Sequence, residues 1–129
     1  MPDNVLILAG GQGKRMKVKS PKVLCEVLGI PMLQWVINSC EKSGLSNICV
    51  VKGYEAEQID AFLGDKYVTA LQKERLGTGH AVMQAAEFLN SNKDGNTLVL
   101  CGDAPFVDTE TITSALAFHN GNKNSVTVV

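Results

Sequence analysis

Three stretches of this 129-residue chain have uninterrupted apolar centres: NVLILAG (4–10), NICVVKG (47–53) and TLVLCGD (97–103). A strand with one wet face alternates apolar and polar residues, whereas a strand covered on both faces does not. Such runs have the length of strands and not of helices, and they point to a largely parallel, buried sheet. YVTALQ (67–72) and SVTVV (125–129) complete a set of five candidate strands.

The intervals between the runs carry helical periodicity. PMLQWVINSCEKSG sets Pro31 at a first helical position, spaces Leu33, Val36, Ile37 and Cys40 along one face, and stops at Gly44. EAEQIDAFLG turns Ile59, Phe62 and Leu63 inward. TGHAVMQAAEFLNS reads as one helix that starts from an N-cap at Thr78 and buries Val82, Ala85, Ala86 and Leu89. DTETITSALAFHNG opens at Asp108 with Thr111 three residues on, a weaker start than a full capping box, and aligns Ile112, Leu116 and His119. Trp35 and the methionines suit core helices better than a cofactor box. Strands alternating with helices predict the α/β class, a Rossmann-like, mostly parallel sheet with helices on both faces.

Composition narrows the partners. A net charge of -1 lacks the broad positive field that nucleic acid or an anionic membrane would need. Yet five of the 12 basic residues, Lys14, Arg15, Lys17, Lys19 and Lys22, fall between positions 14 and 22 with no acidic residue among them. That local charge suits a small anion. No apolar run is long enough to span a bilayer, and MPDNVLILAGG lacks the features of a signal peptide, so cytoplasmic residence is expected. Cys25, Cys40, Cys49 and Cys101 form no CxxC pair, which argues against a zinc or redox motif. Cys49 and Cys101, inside strand-like runs, are expected to be small buried hydrophobes with reduced thiols.

The basic cluster follows directly on the first strand, in LILAGGQGKRMKVKSPK (6–22). An ATPase P-loop, G-x-x-x-x-G-K-[ST], does not fit: Leu8 stands where the first glycine belongs and Arg15 where Ser or Thr would meet magnesium. A dinucleotide fingerprint fits poorly. Gly11 and Gly13 match, but Met16 replaces the third glycine and Ser20-Pro21 breaks the helix that should follow. What remains is a glycine loop at the carboxyl end of a strand. Its amides at Gly10, Gly11 and Gly13 can surround an anion, while Arg15 and Lys22 can add full charge. The alternative is a solvated loop whose lysines only aid solubility.

LAGGQGKRM…SPKVL resembles the signature of sugar-nucleotide pyrophosphorylases, which join a sugar 1-phosphate to a nucleoside triphosphate. LQKERLGTGHAV (71–82) resembles the base-recognition segment of the bacterial N-acetylglucosamine-1-phosphate uridylyltransferases, and LVLCGDAPFV (98–107) their metal-bearing strand end. The order and spacing of the three segments agree with that family over nearly the whole chain. The resemblance implies UTP and a sugar 1-phosphate as substrates and Mg²⁺ as cofactor. It places Leu8, Ala9 and Gly10 against the nucleoside, mostly through their backbone, Arg15 on the β and γ phosphates, and Lys22 on the α phosphate. Gln72 with the Gly77-Thr78 backbone would read uracil, and Asp103 would hold the metal. Asp103 has a plainer reading as the cap of a turn before Pro105. His80 reads as a helix-start residue packed near the base, and His119 as structural.

Three positions depart from the family pattern: Lys14 stands for a usual Thr, Gly11 for a commoner Ala, and Cys101 for a frequent Tyr. Such a family domain continues past position 129 into a half that binds the sugar and supplies a second metal ligand. In its bifunctional members a trimer-forming acetyltransferase follows, so a homo-oligomer would arise through that region. Residues 1–129 are therefore expected to be the nucleotide-binding part of a longer nucleotidyltransferase, incomplete at the carboxyl terminus and with little activity alone. Transferases for another nucleotide or acceptor, and a non-catalytic nucleotide-binding module, are the rival readings.

Overall fold

The computed structural model describes residues 3–11, 20–74 and 76–129. Strand β1 (Asn4–Ala9) is followed by a 3₁₀ turn (Lys22–Leu24) and a small hairpin of β2 (Glu26–Val27) and β3 (Ile30–Pro31). Then come α1 (Met32–Lys42), β4 (Asn47–Lys52), α2 (Ala56–Leu63) and β5 (Val68–Leu71). Two short helices, α3 (Thr78–Met83) and α4 (Ala86–Ser91), lead to β6 (Thr97–Cys101) and α5 (Thr109–Gly121). The main sheet has the order β5-β4-β1-β6, and every pair in it is parallel. This is the α/β, Rossmann-like architecture that the apolar runs predict.

Alternation along β1 divides the core in two. Val5, Ile7 and Ala9 join Ile48 and Val50 of β4 on one face, packed with Leu33, Val36, Ile37 and Cys40 of α1, Ile59 and Leu63 of α2, and Ile112 of α5. Leu6, with Cys49 and Val51, faces the other way against Ala81 of α3, Ala85 and Phe88 of α4. Each fully buried Leu or Ile contributes roughly 1.5–3 kcal/mol by leaving water, so the two central strands hold most of the sheet's stability. The edge strands are wetter. Leu98 and Leu100 of β6 pack on the first cluster, but Val99 is 45% exposed, because no β6 residue lies among those packed with α3 and α4.

Winding runs outward from β1 through β4 to β5, then crosses back over β1 to reach β6. The direction of travel therefore reverses between β1 and β6. In sheets of this class the loops diverge at such a reversal and leave a crevice at the carboxyl ends of the strands.

Four expectations need correction. SVTVV is not a strand: residues 125–129 have no ladder partner among the described residues, and Val126, Val128 and Val129 are 78%, 91% and 90% exposed. Branched side chains favour extended backbone, but a strand also needs a neighbour to pair with. The predicted single helix from Thr78 is two helices, divided at Gln84-Ala85, and its N-cap is Gly77 with no side-chain capping bond. Ala86 is exposed there, with Ala81 and Phe88 buried in the packed face instead. Pro31 is an N-cap and not a first helical residue. Cys101 is exposed, unlike Cys49, because it lies on the open side of an edge strand.

Elsewhere local chemistry agrees with the elements. Asp108 caps α5, its carboxylate accepting from the Thr111 amide at 2.8 Å, and that bond holds the carboxyl below its usual pKa. Burial pushes the Cys40 and Cys49 thiols up to about 11. Met32 is buried and the Trp35 indole donates to the Val27 carbonyl at 2.8 Å, whereas Met83 is 68% exposed. The hairpin turn at Leu28-Gly29, with φ of 54° and 79°, has the left-handed pair that a two-residue connection requires, and the sequence reading did not foresee it. No described helix is long and apolar enough to cross a membrane.

Candidate functional site

A crevice of about 270 Å³ opens where the fold predicts, at the carboxyl ends of β1 and β6. Leu8, Gly10 and Gly11 line it from the end of β1, Cys101 and Asp103 from the end of β6, and Gln72 from the end of β5. Gly77, Thr78 and Ala81 close one side at the start of α3, and Lys22 and Val23 enter from the 3₁₀ turn. Five parts of the chain thus converge on one hollow that none could form alone.

Glycines make the convergence possible. A Cβ on Gly102 would stand 2.8 Å from Val23 Cγ1 and 3.2 Å from the Leu8 carbonyl, which accepts the Gly102 amide at 2.9 Å. Any side chain there would push the Asp103 loop away from β1. A Cβ on Gly53 would meet Gly10 Cα and the Gln72 carbonyl, both at 3.2 Å, so the ends of β1, β4 and β5 also crowd together only without one. Sequence reasoning missed Gly53, Gly102, Val23 and Ala81. For the two glycines the signal available was their place at the end of each strand-like run, in VVKGYE and LCGDAP.

Lys22 owes its position to its neighbours. Pro21 is fully buried, Val23 is 3% exposed in the larger core cluster, and the turn is closed by the Cys25 amide on the Lys22 carbonyl at 3.0 Å. With the residues on each side anchored inward, Lys22 projects into the crevice. There its Nζ meets Asp103 Oδ2 at 2.9 Å, with the two side chains 45% and 38% exposed. A half-exposed ion pair of this kind contributes little to stability, about 0–1 kcal/mol. What it does is hold opposite charges side by side at the mouth of a hollow. The reading of Asp103 as a turn cap finds no support here: the Ala104 amide goes to the Cys101 carbonyl, and Asp103 is tied to Lys22.

The residues present fit a magnesium ion brought in with phosphates. No group of three or more His, Cys, Asp or Glu side chains among the described residues could cage a metal on its own. Asp103 offers a hard oxygen donor, and Mg²⁺ is commonly held by one or two carboxylates with substrate phosphates and water completing its shell.

On the opposite wall Gln72 is 6% exposed, its amide nitrogen 3.3 Å from the Gly77 carbonyl and 3.1 Å from His80 Nδ1. Gly77 itself has φ of 101°, a conformation that favours glycine. Of the residues expected from the sequence, Leu8, Gly10, Gly11, Lys22, Gln72, Gly77, Thr78 and Asp103 share the crevice. Ala9 does not, because alternation turns it into the core between β1 and α1. Its methyl has no access to a ligand. Gly13 and Arg15 lie outside the described residues.

Comparison with known proteins bears on the family and the fold. The family model of the MobA-like NTP transferase domain matches residues 5–129. The chain is 44% identical over 124 residues to the bifunctional protein GlmU of Acetivibrio thermocellus, covering 96% of the chain and 27% of that protein. It is 40% identical over 129 residues to bifunctional protein GlmU of Staphylococcus epidermidis, covering 100% of the chain and 28% of that protein. The chain thus spans about a quarter of the length of these relatives, within their amino-terminal part. Solved structures with the same fold include two sharing less than a fifth of their residues with this chain. A UDP-glucose pyrophosphorylase from Acinetobacter baumannii has a TM-score of 0.75 at 16% identity, over 95% of this chain and 54% of that one. Rv0371c from Mycobacterium tuberculosis has a TM-score of 0.72 at 18% identity, over 93% of this chain and 61% of that one. With a strand-end crevice of this build and a family match over nearly its whole length, the chain belongs to the MobA-like NTP transferase domain family.

Proposed function

We propose that the crevice binds UTP, and that the protein transfers its uridylyl group to N-acetylglucosamine 1-phosphate, releasing pyrophosphate. The observation that carries this reading is the meeting of Lys22 and Asp103 at the mouth of a glycine-floored crevice whose far wall is a buried Gln72. One end of the hollow supplies charge for phosphates, and the other supplies amide groups for a base. Likeness to bifunctional GlmU proteins supports the choice of substrates.

In this reaction a phosphate oxygen of the sugar 1-phosphate attacks the α phosphorus of UTP. The bond from that phosphorus to the bridging β oxygen breaks, and pyrophosphate leaves with the electron pair. The attacking oxygen is already ionised, so no side-chain base is needed, and positioning with charge stabilisation does the work. Lys22 neutralises charge on the α phosphate, and Arg15 that on the β and γ phosphates. Asp103 would hold Mg²⁺, which supplies further neutralisation and orientation of the phosphates when bound. The backbone of Leu8, Ala9, Gly10, Gly11 and Gly13 follows the nucleotide, and Gln72, Gly77 and Thr78 read the base. Residues 1–129 act as the nucleotide-binding part of a longer cytoplasmic enzyme, with little turnover alone because the sugar pocket is incomplete.

Calorimetric titration with UTP, TTP, CTP and GTP in the presence of Mg²⁺ tests the reading. Preferential binding of UTP is expected. Preference for another triphosphate would reassign the base, and equal weak binding of all four would favour a non-selective binding module.

A further inference from the structure

The orientation of the Gln72 amide is fixed by its surroundings, and His80 is the residue that completes the fixing. Gln72 Nε2 carries two hydrogens and lies 3.3 Å from the Gly77 carbonyl and 3.1 Å from His80 Nδ1. A carbonyl can only accept, so the nitrogen end of the amide must face Gly77. His80 Nδ1 must then accept the second hydrogen, which puts the ring in its neutral form with the proton on Nε2. The other ring nitrogen stands 3.3 Å from Gln84 Nε2, which also donates to the His80 carbonyl at 3.1 Å. A neutral imidazole cannot accept at both nitrogens. Gln84 is half-buried and can turn its amide to water, whereas Gln72 is 6% exposed and cannot. The contact to Gln72 therefore decides the tautomer.

With both hydrogens engaged, the group that Gln72 turns to the crevice is its oxygen. Oε1 stands over the crevice floor, 3.0 Å from where a Cβ on Gly10 would be. We propose that His80 is a positioning residue that sets base selectivity, by holding Gln72 so that it offers an acceptor, and not a donor, to the nucleotide. An acceptor matches the N3–H of uracil and opposes the lone pair on N3 of cytosine. Without a partner at Nδ1 the amide is held by Gly77 alone and can rotate to present its N–H. This inference rests on the base-reading role proposed above for Gln72.

Calorimetric affinities for UTP and CTP with Mg²⁺, measured on His80→Phe, His80→Asn and Gln72→Ala, test it. The phenyl ring fills the space without an acceptor, and the Asn side-chain oxygen can replace Nδ1. In His80→Phe the preference for UTP over CTP should fall by roughly tenfold, the usual cost of one mispaired buried polar group, and in His80→Asn it should be retained. In the Gln72→Ala background His80→Phe should change the preference no further. Retained preference in His80→Phe together with its loss in Gln72→Ala would overturn the positioning role and leave the base-reading role standing. Retained preference in Gln72→Ala would overturn the base-reading role itself. The unliganded wild-type protein provides a check independent of nucleotide and of mutant folding. Two-bond ¹H–¹⁵N correlations should show His80 protonated on Nε2, and protonation on Nδ1 would overturn the inference.

Discussion

The two ends of the sheet are built from similar material and do opposite things. At the amino ends Asn4 is 1% exposed, its amide nitrogen donating to the Asn92 carbonyl at 3.0 Å and its oxygen accepting from Asn47 at 2.6 Å. Asn47 also donates to Asn92 Oδ1 at 2.7 Å. Polar side chains here satisfy one another, so β1, β4 and the end of α4 are tied together. At the carboxyl ends glycines stand where side chains would fill the space, and the charges of Lys22 and Asp103 are half-exposed. One end is closed by its polar groups. The other keeps Lys22 and Asp103 half-exposed, where they can exchange each other for a ligand.

If this division of labour is right, mutations at the two ends should fail in different assays. The largest effect is expected at the open end. In the longer enzyme proposed above, Lys22→Ala or Asp103→Ala should lower turnover by about 10²–10³-fold, as loss of one preorganised charge contact usually does, with a melting temperature close to wild type. The small stabilisation by their half-exposed ion pair is why folding should be spared. Near-normal turnover in both variants would remove the site from this end of the sheet.

A smaller effect, in the other assay, is expected at the closed end. Asn4→Ala leaves the Asn47 amide and the Asn92 carbonyl short of a buried partner, which should cost about 1–3 kcal/mol in denaturant unfolding. Affinity for UTP should remain unchanged. Reduced affinity with intact stability would show that the ends are not separable.

Cysteines sharpen the contrast at the scale of single residues. Cys101 is exposed in the crevice, whereas Cys49 sits in the smaller core cluster with its thiol raised to about 11. A thiol reagent at neutral pH should label Cys101 well before Cys49, and UTP with Mg²⁺ should slow Cys101 alone. Equal labelling rates, or no protection by nucleotide, would contradict the assigned position of the ligand.

The same contrast explains what the sequence disclosed. Central strands β1 and β4 are legible because burial on both faces leaves no polar residue in NVLILA or NICVVK beyond their ends. SVTVV is also rich in β-branched residues but has no partner strand among the described residues, and β-propensity does not report pairing. The division between α3 and α4 is invisible for a related reason, since the helical stripe continues through Gln84-Ala85 while the backbone does not. At the site, Lys22, Gln72 and Asp103 were legible only together, through three resembling segments, because each comes from a different element. Alternation turns the Ala9 side chain to the same face as Val5 and Ile7, which leaves its backbone for the crevice, as the sequence reading expected of it. Gly102 was not legible as a site residue, and His80 was legible only as a helix-start residue packed near the base. Their roles depend on distances to Val23 and to Gln72 that only the folded chain defines.

Titration of the ¹⁵N-labelled chain with UTP and Mg²⁺, followed by backbone amide shifts, tests the central claim most directly. The account predicts perturbations concentrated at Gly10, Gly11, Lys22, Gln72, Gly77 and Asp103, with Asn4, Asn47 and Asn92 unmoved. Perturbations concentrated instead at the amino ends, or in the second hollow between α5 and Thr127, Val128 and Val129, would contradict it.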